Sequence, residues 1–103
     1  MNFGISSKSM EMIINTLMGK KEIEKAAIFG SRSMGNYKNG SDIDIVVYGT
    51  YITQEIVNQL SIELNELLPL PYYFDIVHYE ALTHDGLKEH IDKFSKTFYN
   101  IKS

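Results

Sequence analysis

Two aspartates stand two residues apart inside the run DIDIVVY (42–48), and this placement constrains the chain more than any other feature. The β-branched and aromatic content of that run predicts a strand over 42–48. Successive strand side chains alternate, so Ile43, Ile45 and Val47 share one face while Asp42 and Asp44 share the other. Carboxylates at i and i+2 then point the same way from Cα atoms about 6–7 Å apart. Like charges this close raise each other's proton affinity unless a cation lies between them. Two bare anions flanked by Ile43, Ile45, Val46 and Val47 are costly to bury. All-oxygen ligands of this kind suit Mg²⁺ or Mn²⁺ rather than zinc. Taken alone, the triplet also fits two solvated carboxylates at the mouth of a strand.

The preceding segment narrows the choice. Residues 26–29 (AAIF) read as a short buried strand ending at Gly30, and residues 32–41 separate Ser31 from the first aspartate. Glycines at 30, 35 and 40 with Ser31, Ser33, Asn36, Asn39 and Ser41 predict a loop that holds one helical turn. A glycine after a strand permits close backbone approach, and a serine adds a hydroxyl to free amide donors. Such amides at the start of a helical turn bind phosphate. Arg32, the only arginine of the chain, lies in this loop, with Lys38 nearby. A further strand at 72–79 (YYFDIVHY) places Asp75 inside another apolar run. A phosphate loop facing metal-binding carboxylates is the equipment of phosphoryl or nucleotidyl transfer.

The rest of the chain supplies the scaffold. Over 7–18, Met10, Ile13, Ile14 and Leu17 recur at helical spacing behind capping serines, and Gly19 with Lys20 and Lys21 marks the stop. Thr53 caps a second helix striped by Ile56, Val57, Leu60, Leu64, Leu67 and Leu68, ended by Pro69 and Pro71. A last helix is expected from Asp85-Gly86 to the C-terminus, with Leu87, Ile91, Phe94, Phe98 and Ile101 on one face. The expected fold is α/β (α+β), one domain over 1–103, with a small mixed sheet flanked by helices.

Composition removes several classes. A 44% hydrophobic, 22% charged chain with 2 prolines is globular rather than disordered. Ten basic against 13 acidic residues give a net charge of −3, which disfavours general nucleic-acid binding. There is no cysteine, hence no disulfide or thiolate metal site. The sequence has neither a signal-type apolar core nor a run of the ~20 apolar residues that span a bilayer, so a cytoplasmic protein is expected. His78, His84 and His90 are too scattered for a metal motif and read as structural or surface groups.

The stretch GSRSMGNYKNGSDID, Gly30 to Asp44, with Asp75 downstream, resembles the DNA polymerase β-like nucleotidyltransferase superfamily. Within it the match is to the minimal branch, the MNT proteins, whose loop runs G-S-R-A-R-G and continues to S-D-I-D. Gly30, Ser31, Arg32, Gly35, Ser41, Asp42, Ile43 and Asp44 agree with that pattern, whereas Met34 replaces a second basic residue. Asn36-Tyr37-Lys38-Asn39 departs from the commoner Arg-Pro tip.

The resemblance implies a palm-like fold and transfer of a nucleoside monophosphate, AMP from ATP, with two Mg²⁺ ions (or Mn²⁺) held by Asp42, Asp44 and Asp75. It assigns Gly30 and Ser31 to the β/γ-phosphates and Arg32 to a charge clamp. It further implies an antitoxin whose partner is a HEPN-domain toxin and whose acceptor is a tyrosine of that partner. The alternative is a non-catalytic antitoxin or nucleotide-binding module acting by contact. Oligomeric state, homo-oligomers included, stays open at this level.

Overall fold

The structure is a computed structural model and describes residues 3–38 and 40–102; Asn39 of the expected loop tip lies outside them. Its elements in chain order are α1 (Ser7–Met18), β1 (Lys25–Phe29), the single turn α2 (Ser31–Met34), β2 (Ile43–Tyr48), α3 (Gln54–Ile62), β3 (Phe74–His78), α4 (Asp85–Phe94) and β4 (Lys96–Asn100). The four strands form one mixed sheet in the order β3-β2-β1-β4. The β2–β3 pair is parallel, and β1 runs antiparallel to both β2 and β4.

Local signals set the helix starts. The Ser6 hydroxyl accepts the Ser9 amide, and the Thr53 hydroxyl accepts the Ile56 amide, so each helix has one orphan donor satisfied. The apolar stripes then bury against the sheet. Ile13 and Leu17 of α1 and Val57, Leu60 and Leu64 of the α3 segment pack with Ile28, Ile43, Ile45 and Phe74 on one face. Each such side chain contributes about 1.5–3 kcal/mol on burial. The opposite face carries a smaller cluster in which Ile91 of α4 meets Ala27, Phe29 and Val46.

Two expectations need correction. The α3 helix does not run regularly to the prolines; Glu63–Leu67 form a π turn in which the Leu68 amide reaches back to the Glu63 carbonyl. That wider turn carries Leu67 farther round from Leu64, and Leu67 is 70% exposed instead of joining the buried stripe. The second correction is larger. The last helix stops at Phe94, and Lys96–Asn100 is a strand, not a continuation of the helix. Phe98 and Ile101 therefore do not lie on the α4 stripe. Thr97, Phe98 and Tyr99 favour strand geometry, and pairing them satisfies the free edge of β1, a tertiary demand that helical spacing does not report. The ladder shifts register at Ala26/Ala27, which leaves Phe98 unpaired between Thr97 and Tyr99.

No described helix is long and apolar enough to cross a membrane.

Candidate active site

The β1 strand ends at Phe29, and the chain turns at once. Gly30 has φ 75° and ψ −153°, a region open in practice only to glycine. Its carbonyl accepts the Ser33 hydroxyl at 2.8 Å and the Met34 amide at 3.3 Å, which winds α2. A Cβ at Gly30 would overlap the Asp44 carboxylate, so the missing side chain lets the loop lie against that group. Gly35 (φ 80°) closes the turn by donating its amide to the Ser31 carbonyl. Among the described residues the half-exposed Ser31 hydroxyl has no hydrogen-bond partner.

The carboxylates come from adjoining strands. Parallel pairing of β2 and β3 sets Asp44 directly beside Asp75, and antiparallel pairing with β1 sets Phe29 on the other side of Asp44. Asp42 precedes the first residue of β2 and, like Asp75, is exposed, whereas Asp44 is half-buried. The desolvation cost foreseen for a pair thus falls on Asp44. Burial raises its pKa above the ordinary carboxylate value, Asp75 and Asp42 raise it further, and His90 opposes them. A group short of positive charge, with two carboxylates within electrostatic reach, is chemically suited to a hard divalent cation. Among the described residues no three acidic or imidazole side chains lie together closely enough, as they stand, to hold a metal ion.

Arg32 is placed differently from a free clamp. It is 3% exposed, its Nη1 donates to the Phe3 carbonyl and its Nη2 to the Ser41 carbonyl, both at 2.8 Å. The guanidinium also lies 4.8 Å from the Tyr37 ring centre and 5.5 Å from that of Tyr72. These contacts fasten the N-terminal segment to the residue before Asp42, and so fix the loop from behind.

Two further residues shape the site: Asn65, which no sequence motif marks, and His90, expected only as a structural or surface group. Asn65, in the π turn, accepts the Phe74 amide at 2.7 Å and donates to the Phe74 carbonyl at 3.0 Å, fixing the strand residue next to Asp75. His90 of α4 accepts the Gly30 amide on Nε2 at 3.2 Å. Its position at i+3 from Leu87 on the buried stripe was the available signal. The other two histidines are structural: His84 Nδ1 accepts the Leu87 amide to cap α4, and His78 Nε2 contacts the Gly49 carbonyl at 2.9 Å.

Comparison with known proteins finds the same fold. A chain of a toxin–antitoxin complex with AMP-PNP superposes with TM-score 0.72 at 18% identity, over 95% of this chain and 76% of that one. A chain of the MntA–HepT toxin–antitoxin complex gives 0.70 at 18% identity, over 94% and 74%. A third match is to a complex of tri-AMPylated Shewanella oneidensis HEPN toxin with MNT antitoxin, with TM-score 0.69 and 20% identity over 92% and 72%. No curated protein matches the sequence. The family model described as polymerase beta nucleotidyltransferase matches residues 11–103. With nearly the whole chain inside that match, and with the Gly-Ser loop set against strand aspartates, the protein belongs to the polymerase β nucleotidyltransferase family.

Proposed function

We propose that this protein is an antitoxin that transfers AMP from ATP to a hydroxyl of a HEPN-type toxin, a tyrosine being the acceptor. The observation that carries the reading is the Asp44–Asp75 pairing across β2 and β3 beneath the Gly30-Ser31 turn. The partner and the transferred group are supported by the similar folds seen in complexes with AMP-PNP and with a tri-AMPylated HEPN toxin. The net charge of −3 also disfavours an RNA acceptor, whose affinity would come largely from Lys and Arg on phosphates.

In this reading Asp42, Asp44 and Asp75 would hold Mg²⁺, or Mn²⁺, which when bound would supply charge neutralisation for the triphosphate and activation of the acceptor hydroxyl. The chain's own part is positioning. The Ser31 hydroxyl and the free amides of the α2 turn would take the β/γ-phosphates, and the missing side chain at Gly30 keeps that turn against the Asp44 carboxylate. The acceptor oxygen, giving up its proton to solvent, would form its bond to the α-phosphorus in line with the bond to the departing pyrophosphate, which breaks as pyrophosphate leaves. Transfer of this type depends on in-line geometry and charge neutralisation, so a docked partner that fixes one hydroxyl is worth far more than a free acceptor.

Incubation with α-labelled ATP, Mg²⁺ and the HEPN partner tests the reading. The expected result is one or more AMP units on a partner tyrosine, lost in Asp42→Asn and Asp44→Asn. Engagement of Arg32 by backbone carbonyls favours the second reading, neutralisation by contact alone. Toxin inhibition that survives both substitutions, with no label incorporated, would establish that second reading instead. Label on tRNA or a small hydroxyl compound would keep the transferase and discard the partner.

A further inference from the structure

The Gly30 amide is a donor that the sheet cannot use. Pairing of β1 with β2 ends at Phe29↔Asp44, and pairing with β4 ends at Ile28↔Lys96. The donor is met instead from outside the sheet, by His90 Nε2 at 3.2 Å, across 60 residues of sequence. For that nitrogen to accept, the ring must be neutral with its proton on Nδ1. The imidazole is held by rings on two sides: Phe29 edge-on at 6.4 Å and Phe94 tilted at 5.2 Å. Helix α4 is thus tied to the residue on which the phosphate turn pivots. Without the tie, the Gly30 amide would seek water, and the glycine would be held over Asp44 only through the Ser33 and Met34 bonds to its carbonyl.

We propose that His90 is a positioning residue of the nucleotide site: by anchoring the Gly30 amide it fixes the turn that presents Ser31 to phosphate, which makes α4 part of the substrate-binding machinery. This rests on the nucleotidyl-transfer reading above, and it adds a residue outside the Gly-Ser and aspartate motifs. A histidine that merely fills space between Phe29 and Phe94 would be replaceable by any ring. A positioning histidine is replaceable only by a side chain with an acceptor at the same reach.

The pair His90→Phe and His90→Gln separates these. Phenylalanine keeps the ring packing and removes the acceptor; glutamine restores an acceptor oxygen near the Nε2 position. In the nucleotide-free protein the Gly30 amide should be protected from hydrogen exchange in the wild type and His90→Gln, and should exchange faster in His90→Phe. With ATP and Mg²⁺, His90→Phe should bind nucleotide about 3- to 10-fold more weakly, the range expected for one lost hydrogen bond, and should raise KM far more than it lowers kcat. His90→Gln should recover to within about twofold on the same scale. Glu89→Gln, on the exposed side of α4, should leave binding unchanged. The proposal is overturned if the wild-type Gly30 amide is unprotected, if His90→Phe binds ATP like the wild type, or if His90→Gln is as weak as His90→Phe. A wild type with a protected Gly30 amide that binds no ATP would overturn the nucleotidyl-transfer reading while leaving the anchor itself standing.

Discussion

Gly30 lies against Asp44 so closely that a single added methyl group would overlap the carboxylate. The contact joins the two motifs of the site, the turn after β1 and the acid on β2, and it holds only because residue 30 has no side chain. Gly30 also sits at φ 75°, ψ −153°, so its backbone is itself costly for any other residue.

Gly30→Ala should therefore suffer twice, from backbone strain and from the clash, and lose about 2–4 kcal/mol. Gly35 is the internal control. It has φ 80°, but nothing lies within 4 Å of an added Cβ, so Gly35→Ala should cost only ~1 kcal/mol of left-handed strain. Urea unfolding of the two variants measures the difference, and equal losses would show that the Asp44 contact is unimportant.

Arg32 should act on stability before it acts on nucleotide. Removing it strands the Phe3 and Ser41 carbonyls and uncovers Tyr37 and Tyr72. Arg32→Ala should destabilise by about 2–4 kcal/mol. Arg32→Lys should recover little, because one ammonium lacks the fork that reaches both carbonyls. If Arg32→Ala melts like the wild type yet binds ATP more weakly, the arginine is a phosphate clamp after all.

The parts of this fold that were legible in sequence are those in which local pattern and tertiary demand agree. The run from Ile43 to Tyr48 is β-branched and aromatic, as a strand covered on both faces should be, and it pairs as one on both sides. The Gly30-Ser31 turn was legible because glycines and small polar residues clustered after an apolar run mark a loop. Lys96–Asn100 was not, since Phe94, Phe98 and Ile101 extend the helical spacing of Leu87 and Ile91, and the strand preference of Thr97, Phe98 and Tyr99 prevails once the edge of β1 offers a partner. Arg32 illustrates a different limit. Its charge pointed to phosphate, but whether a guanidinium faces solvent or its own backbone depends on Phe3, 29 residues away. His90 met the same obstacle, because its partner Gly30 is adjacent only after α4 has packed on β1.

Glu80 offers a test of the sheet end remote from the site. Both of its carboxylate oxygens accept the Gly49 amide, at 3.1 and 3.2 Å, and Gly49 is buried where β2 turns towards α3. Glu80→Ala leaves that donor unpaired and should cost about 1–3 kcal/mol. Glu80→Gln, which keeps one acceptor, should restore most of it. Thermal melts measure the cost, while ATP affinity should stay at the wild-type value in both variants; a loss of ATP affinity would mean that this turn is coupled to the nucleotide site.

Asp44 makes the stability of the metal-free protein depend on pH. Its pKa is raised in the fold by burial first and then by Asp75 and Asp42. A carboxyl whose folded pKa lies above its unfolded value binds its proton more tightly in the native state. Its favourable contribution is complete below the unfolded value, near 3.8, and is lost as pH rises through the folded value. At neutral pH the ionised Asp44 is therefore a liability to the metal-free protein, reduced by solvent because the group is only half-buried. Asp44→Asn should raise the melting temperature of the metal-free protein at pH 7, and the gain should shrink as pH falls towards 4. Added Mg²⁺ should do for the wild type what the substitution does, stabilising the native state by mass action, and should do much less for Asp44→Asn. Melting curves at pH 7, 5.5 and 4, with Mg²⁺ and with chelator, measure all of this in one series. A substitution that destabilises at pH 7 in chelator would show that Asp44 is a satisfied structural carboxylate, and the charge-crowding argument for a cation at this site would fail with it.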